Sequence, residues 1–267
     1  MMCRFHKMHG LGNDFVVIDA RTQSLPMSRA MARAVADRHR GVGCDQLILL
    51  EPSNVADVKM RIFNADGGEV EACGNATRCV ALLIGGDIRI ETLGGTLDAS
   101  STGEGASVDM GTPRFTWDAI PLAYPMDTAS LPVGWEGLET PFAVNVGNPH
   151  IVFFVPDADR VDLQRIGPII ENDPLFPERV NVNAASIADG RVKLRVWERG
   201  AGLTMACGTG ACATAVAAIS RNLASSPVDV DLPGGSLTIA WAPGGTIRMS
   251  GGATHVFKGE IDLEALL

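Results

Sequence analysis

The sequence predicts a mixed α+β chain of the α/β type, built from two copies of one unit, and three observations predict it. Residues 59–81 (KMRIFNADGGEVEACGNATRCVA) and 193–215 (KLRVWERGAGLTMACGTGACATA) align without a gap at an offset of 134. They are identical at seven positions: Lys59/Lys193, Arg61/Arg195, Gly68/Gly202, Ala72/Ala206, Cys73/Cys207, Gly74/Gly208 and Ala81/Ala215. Ordinary residue usage gives roughly one or two such matches by chance. Upstream, at an offset of 135, residues 11–17 (LGNDFVV) match 146–152 (VGNPHIV), and Gln46 falls on Asn181. Each copy also passes from strand-like residues through a glycine turn into a run of small apolar residues, the order of an α/β unit.

The elements follow in order. Residues 15–19 and 151–155 are β-branched and aromatic runs after a Gly-Asn turn, which predicts buried strands. Residues 28–38 carry the period of an amphipathic helix. Residues 59–64 and 193–198 alternate as strands do. Residues 75–84 and 209–219 are apolar and small nearly all round, which predicts helices buried on every side. The stretch 109–139 is rich in Pro and Gly, and the boundary between halves is placed near 115. Residues 254–267 read as a strand and a final turn.

Composition removes several function classes. Hydrophobic residues at 46% and charged residues at 20% sustain a core and exclude a disordered chain. With 31 Asp+Glu against 22 Lys+Arg, the net charge of −9 repels phosphate backbones, and 5% aromatics supply no stacking platform, so no nucleic-acid partner is expected. No apolar run approaches the ~20 residues that span a bilayer, so no membrane partner is expected. The opening MMCRFHKMHG has no apolar core of a signal peptide, and the expected location is the cytoplasm. The six cysteines (3, 44, 73, 79, 207, 212) form no C-x-x-C pair, so no metal site is expected. Phosphate loops and dinucleotide fingerprints are absent, and the four lysines (7, 59, 193, 258) lie outside any phosphate cup. The expected cofactor count is none, pyridoxal phosphate included.

Cys73 and Cys207 each precede a glycine that opens a buried helix. A helix N-terminus has unpaired N–H groups and a partial positive charge, which lowers a thiol pKa and cradles an anion. Gly74 and Gly208 allow close approach of a ligand to the backbone. A duplicated unit closing about a local twofold puts two thiols on opposite sides of one cleft. One thiolate then removes an α-proton while the opposite thiol delivers one, which inverts a carbon centre. Two other readings stand beside this one: thiols that pack a domain interface, and a reversible redox pair. Asn13, Gln46, Asn64, Asn75, Asn148 and Asn181 can hydrogen-bond a small zwitterion without adding charge, although singly each reads as a turn residue. Glu198 suits an ammonium and Arg199 a carboxylate. His150 follows a Gly-Asn-Pro turn and reads equally as a site contact or a strand-end residue. Cys3, Cys44, Cys79 and Cys212 read as packing thiols.

Taken together, KMHGLGNDFVVID, GVGCDQL, RIFNADGGEVEACGNATRC, VGNPHIVFF, RVNV, VWERGAGLTMACGTGACA and GGATHVFKGEIDL resemble the diaminopimelate epimerase family. The resemblance implies interconversion of LL- and meso-2,6-diaminopimelate, a step toward lysine and cell-wall cross-links, with neither pyridoxal phosphate nor metal. It implies two pseudo-symmetric domains, each a mixed sheet wrapped around a central helix, with the active site in the interdomain cleft. The domains would be 1–115, joined by 254–267, and 116–253. Cys73 and Cys207 would be the acid–base pair, with His150 and Glu198 flanking the reacting centre. Asn13, Gln46, Asn64, Gly74, Asn75, Asn148, Asn181, Glu198, Arg199, Gly208 and Thr209 would contact a small amino-acid substrate, and a homodimer is the assembly such proteins often form. Proline or hydroxyproline racemases, which also use two cysteines, are the nearest alternative. Two departures from the family pattern bear on rate: Ala76-Thr77 stands where Gly-Ala is usual, crowding the carboxylate cradle, and Cys44 stands before Gln46 where Ala or a bulky apolar residue is expected.

Overall fold

The computed structural model describes residues 1–71 and 73–266. Ala72, one of the repeated alanines, and Leu267, the last residue of the tail, lie outside the described residues. The chain packs as two compact units, Met1–Val108 with Gly251–Leu267, and Asp109–Ser250.

The first unit opens with β1 (Met2–Gly10) and β2 (Asn13–Asp19), antiparallel neighbours. Their two-residue turn puts Leu11 at φ 55° and Gly12 at φ 86°, the left-handed pair that matches strand twist. Ser28 caps α1 (Arg29–Ala36), its hydroxyl accepting from the Met31 N–H at 3.2 Å. β3 (Gln46–Glu51) lies parallel to β2, and β4 (Val58–Asn64) antiparallel to β3. The short β5 (Glu69–Val70) leads into α2 (Gly74–Ile84). β6 (Asp87–Thr92) returns parallel to β4 and continues into the antiparallel β7 (Gly95–Ser101) and β8 (Gly105–Asp109). β2 and β3 are buried on both faces. Val16, Ile18, Leu47 and Leu49 pack with Ala32, Val35 and Ala36 of α1. Phe15, Val17, Ile48 and Leu50 alternate with them and are equally buried on the opposite face. α2 packs against β1, β2, β6 and β7, so this sheet wraps the helix.

The second unit starts with a minimal hairpin, β9 (Gly134–Trp135) and β10 (Leu138–Glu139). It then repeats the first. β11 (Phe142–Asn145) is antiparallel to β12 (Pro149–Phe154), β12 parallel to β13 (Asn181–Ala188), and β13 antiparallel to β14 (Arg191–Glu198). α3 (Leu163–Glu171) lies between β12 and β13, capped by Asp162. β15 (Gly202–Leu203), α4 (Gly208–Ser220), β16 (Val228–Leu232) and β17 (Gly235–Ala240) follow, and β18 (Arg248–Gly252) begins in this unit and ends in the first. The registers coincide: Phe15 opposes Gln46 as His150 opposes Asn181, and Leu47 opposes Phe63 as Val182 opposes Trp197. α4 touches β11, β12, β13, β14, β16 and β17. Its Gly, Ala and Thr side chains let strands approach from all round, which explains why the helix carries almost no polar face. The last strand, β19 (Thr254–Asp262), returns to the first unit and pairs with β1 over nearly its full length.

Candidate active site

In the first unit, the extended backbone of Cys73 (φ −148°, ψ 108°) forms the N-cap of α2. Its half-buried thiol lies 3.8 Å from Asn13 Oδ1, a distance open to a weak S–H donor. Asn13 is held from two sides: its Nδ2 donates to Asp45 at 2.9 Å, and its Oδ1 accepts from Asn75 Nδ2 at 3.2 Å. Asn75 Oδ1 in turn accepts from the fully buried Arg78 at 2.8 Å. Behind Asn13, Asp14 binds Lys7 and Arg38, and Arg38 also reaches Asp45 at 2.7 Å. Burial pulls the Asp14 carboxyl upward, but the two cations outweigh it and hold it at about 2. Gln46 and Asn64 face each other across β3 and β4, Gln46 Nε2 donating at 2.9 Å. Gln46 Oε1 is buried with no partner among the described residues.

Ala76 and Thr77 do not crowd the mouth of α2. Both are fully buried, and the Thr77 hydroxyl turns back to the Cys73 carbonyl at 2.9 Å. Cys44 is buried at the edge of the α1 core, and burial pushes its thiol up to about 11, in keeping with packing.

In the second unit, Cys207 N-caps α4, and its sulfur accepts from the Gly210 N–H at 3.4 Å. Thr209 Oγ1 lies 3.5 Å from the same sulfur. The helix start was expected to lower this thiol. Instead burial, and then the charge of the neighbouring Glu198, raise Cys207 well above its ordinary value, against the weaker pull of Thr209 and the helix N–H. Desolvation wins because a fully enclosed thiolate loses all its water, whereas the helix offers one long sulfur contact. Cys207 therefore rests as a neutral thiol. Glu198 is also raised by burial and accepts from Thr204.

Asn181 is 2% exposed, and its amide joins two backbones: Nδ2 donates to Pro149 O at 2.7 Å, and Oδ1 accepts from the Arg199 N–H at 2.9 Å. It braces the turn that carries Glu198 and Arg199. Glu171, which sequence reasoning missed, holds the same turn through Gly200 N–H and the Trp197 indole. The Arg199 guanidinium bonds Glu178 O at 2.9 Å. A Cβ on Gly208 would meet Met249 Sδ at 3.0 Å, so glycine is fitted to its packing as well as to the helix start.

His150 is fully buried between Asn148 and Asn183. Burial holds its ring at about 3, against an ordinary 6.5, so it is neutral at physiological pH. As pH falls, an unfolded histidine takes a proton first. Stability contributed by neutral His150 is complete above pH 6.5 and is lost as pH falls toward 3, by up to about 1.4 kcal/mol per pH unit. Urea unfolding between pH 6.5 and 4 should show this slope, and His150→Gln should flatten it. An unchanged slope in the variant would show that another group carries the acid lability.

Two groups thus assemble locally. In the first unit Cys73, Asn13 and Asn75 join in one network beside the Gln46–Asn64 pair. In the second, Cys207, Thr209 and Glu198 join beside the Asn181-braced turn. Among the described residues, no three His, Cys, Asp or Glu side chains are grouped as metal ligands.

The family model described as diaminopimelate epimerase matches residues 5–116 and 142–256. The chain belongs to the diaminopimelate epimerase family. A diaminopimelate epimerase of Rhizorhabdus wittichii is 67% identical over 99% of this chain and 97% of its own length. One of Sphingopyxis alaskensis is 68% identical over 98% of each. The fold is shared more widely: a probable proline racemase from Agrobacterium radiobacter superposes with a TM-score of 0.69 at 15% identity, covering 98% of this chain and 93% of that one. The resemblance read from the motifs is borne out, and so is the mixed α+β, two-domain fold class. Within a diaminopimelate epimerase family member, Asn183, Glu171, Arg78, Asp45 and Thr204 are the supporting residues that sequence reasoning missed. Arg78, Asp45 and Thr204 lie inside the motifs that carry the resemblance, Asn183 and Glu171 outside them, and a charged residue in a buried helix was the signal for Arg78.

Proposed function

We propose that this chain interconverts LL- and meso-2,6-diaminopimelate by a two-base mechanism. Two equivalent thiols, each capping the buried helix of its own unit, carry the proposal. One sulfur as thiolate takes the α-hydrogen as a proton, leaving its electron pair on the α-carbon and carboxylate. The other, as thiol, delivers its proton to the opposite face, and the roles exchange on the return reaction. The scheme needs Cys73 and Cys207 to address one carbon from opposite sides. The neutral thiol at Cys207 supports its role as the acid in the resting protein. The N–H groups at the starts of α2 and α4 are assigned to the α-carboxylate, where they would stabilise it as charge builds. Glu198 and Arg199 are assigned to the ammonium and carboxylate groups, and Asn13, Gln46, Asn64, Asn75, Asn148, Asn181 and Thr209 to hydrogen bonds around them. The reaction is placed in the cytoplasm and the chain in a homodimer on the resemblance. No helix among the described residues is long and apolar enough to cross a membrane.

The test is solvent deuterium at the α-carbon. Reduced protein, LL-diaminopimelate and heavy water, with no added cofactor, should give meso product carrying deuterium, followed by proton NMR. Exchange with proline but not diaminopimelate would move the substrate. No exchange with any amino acid would end the enzyme reading.

A further inference from the structure

Two positions break the apolar pattern of the repeat. In the first unit Phe15 on β2 and Ile48 on β3 are fully buried on the face opposite α1. The same places in the second unit, at the offset of 135, hold His150 on β12 and Asn183 on β13, and both are 0% exposed. The fold is thus satisfied by two apolar side chains where the second unit buries two polar ones. Buried polar groups cost stability unless every partner is supplied. Here one is not: Asn183 Oδ1 has no partner among the described residues. α4 makes room for that oxygen. A Cβ on Gly210 would come within 2.8 Å of it, and the matching residue of α2 is Ala76.

Donors and acceptors propagate from Asn183 in one direction only. The amide atom 2.8 Å from the Ile151 carbonyl must be the NH2, because a carbonyl only accepts. The same NH2 lies 3.1 Å from His150 Nδ1, which must therefore accept. The neutral ring then carries its proton on Nε2, which donates to Asn148 Oδ1 at 2.8 Å. With its oxygen claimed, Asn148 presents its NH2 on the remaining side. An anionic carboxylate accepts from an NH2 and is repelled by an amide oxygen, so the direction of this chain decides what Asn148 offers.

We propose that Asn183 is a positioning residue of the epimerase site, fixing the Nε2–H tautomer of His150 and thereby turning the Asn148 NH2 toward a substrate carboxylate. The inference rests on the reading of Asn148 as a substrate contact. In the first unit the matching asparagine, Asn13, is turned by Asp45 and Asn75 instead, so the two units orient equivalent amides by different means.

Protein labelled with 15N-histidine tests this without substrate. His150 of the wild type should show a protonated Nε2 and a bare Nδ1, unchanged down to pH 5. A proton on Nδ1 would overturn the proposal whether or not the protein turns over diaminopimelate, which separates its failure from that of the functional reading. In Asn183→Asp the carboxylate accepts and draws the proton to Nδ1. KM for diaminopimelate should then rise about 10- to 100-fold, as for loss of one charge-assisted hydrogen bond, with kcat changed much less. If that variant does not fold, the double variant His150→Phe, Asn183→Ile installs the apolar pair of the first unit. It should fold and show the same rise in KM. An unchanged KM in either folded variant would overturn the proposal.

Discussion

Alanine at Cys73 or at Cys207 removes interconversion of the two stereoisomers, with kcat/KM falling on the order of 10²–10⁴-fold, the contribution of one positioned acid–base group. Under the two-base scheme each turnover uses both sulfurs, so neither variant retains full turnover. They differ in what survives. A lone thiol can still remove and return a proton on its own face. Each variant should therefore wash deuterium into one stereoisomer only, and the two variants should choose opposite isomers. Serine at either site leaves a far weaker acid and base and should rescue little. Chiral chromatography gives the interconversion rate and proton NMR the washout. A single alanine variant that keeps epimerising at the wild-type rate would sink the scheme.

Arg78→Ala destabilises the protein by about 3–5 kcal/mol, the range for emptying a large buried site while unpairing its acceptors. Arg78 is among the largest fully buried side chains. Its guanidinium donates to Asn75 Oδ1 at 2.8 Å and reaches the carbonyls of Gly252 at 3.4 Å and Gly74 at 3.5 Å. It thus ties the first turn of α2 to the segment before β19. Arg78→Met keeps the apolar stem but not the donors and should fall between the wild type and alanine. Arg78→Lys should not recover the loss, because the three acceptors are reached from three different guanidinium nitrogens and a single ammonium nitrogen cannot span them. Urea midpoints measure the series. A loss under about 1 kcal/mol for alanine would show that the site collapses without penalty.

The repeat made much of this molecule legible. Duplicated strands and small-residue helices reinforce one another, so α2, α4 and the strands before them could be located from sequence spacing. β1 could not: its Cys, Arg, His, Lys and Met residues carry no clear alternation, and its partner β19 is remote in sequence. α3 was hidden by Gly167 and Pro168 in its interior, tolerated because Trp197 packs against the glycine and Asp162 supplies the cap. At the site, thiols and asparagines could be named because they recur at equivalent positions. Their supports could not. Asn183, Glu171 and Asp45 act through contacts between elements that spacing does not reveal, and burial, which overrode the helix at Cys207, is a property of the assembled core.

The pairing of β1 with β19 also sets an order on synthesis. Its partners stand between 245 residues (His9, Thr254) and 260 residues (Met2, Asp262) apart. The Asp109–Ser250 unit is unbroken in sequence and leaves the ribosome entire before β19 emerges. The first unit must wait, with β1 lacking its outer neighbour and its edge open to other nascent chains. On the translating ribosome the half begun first is thus the half finished last.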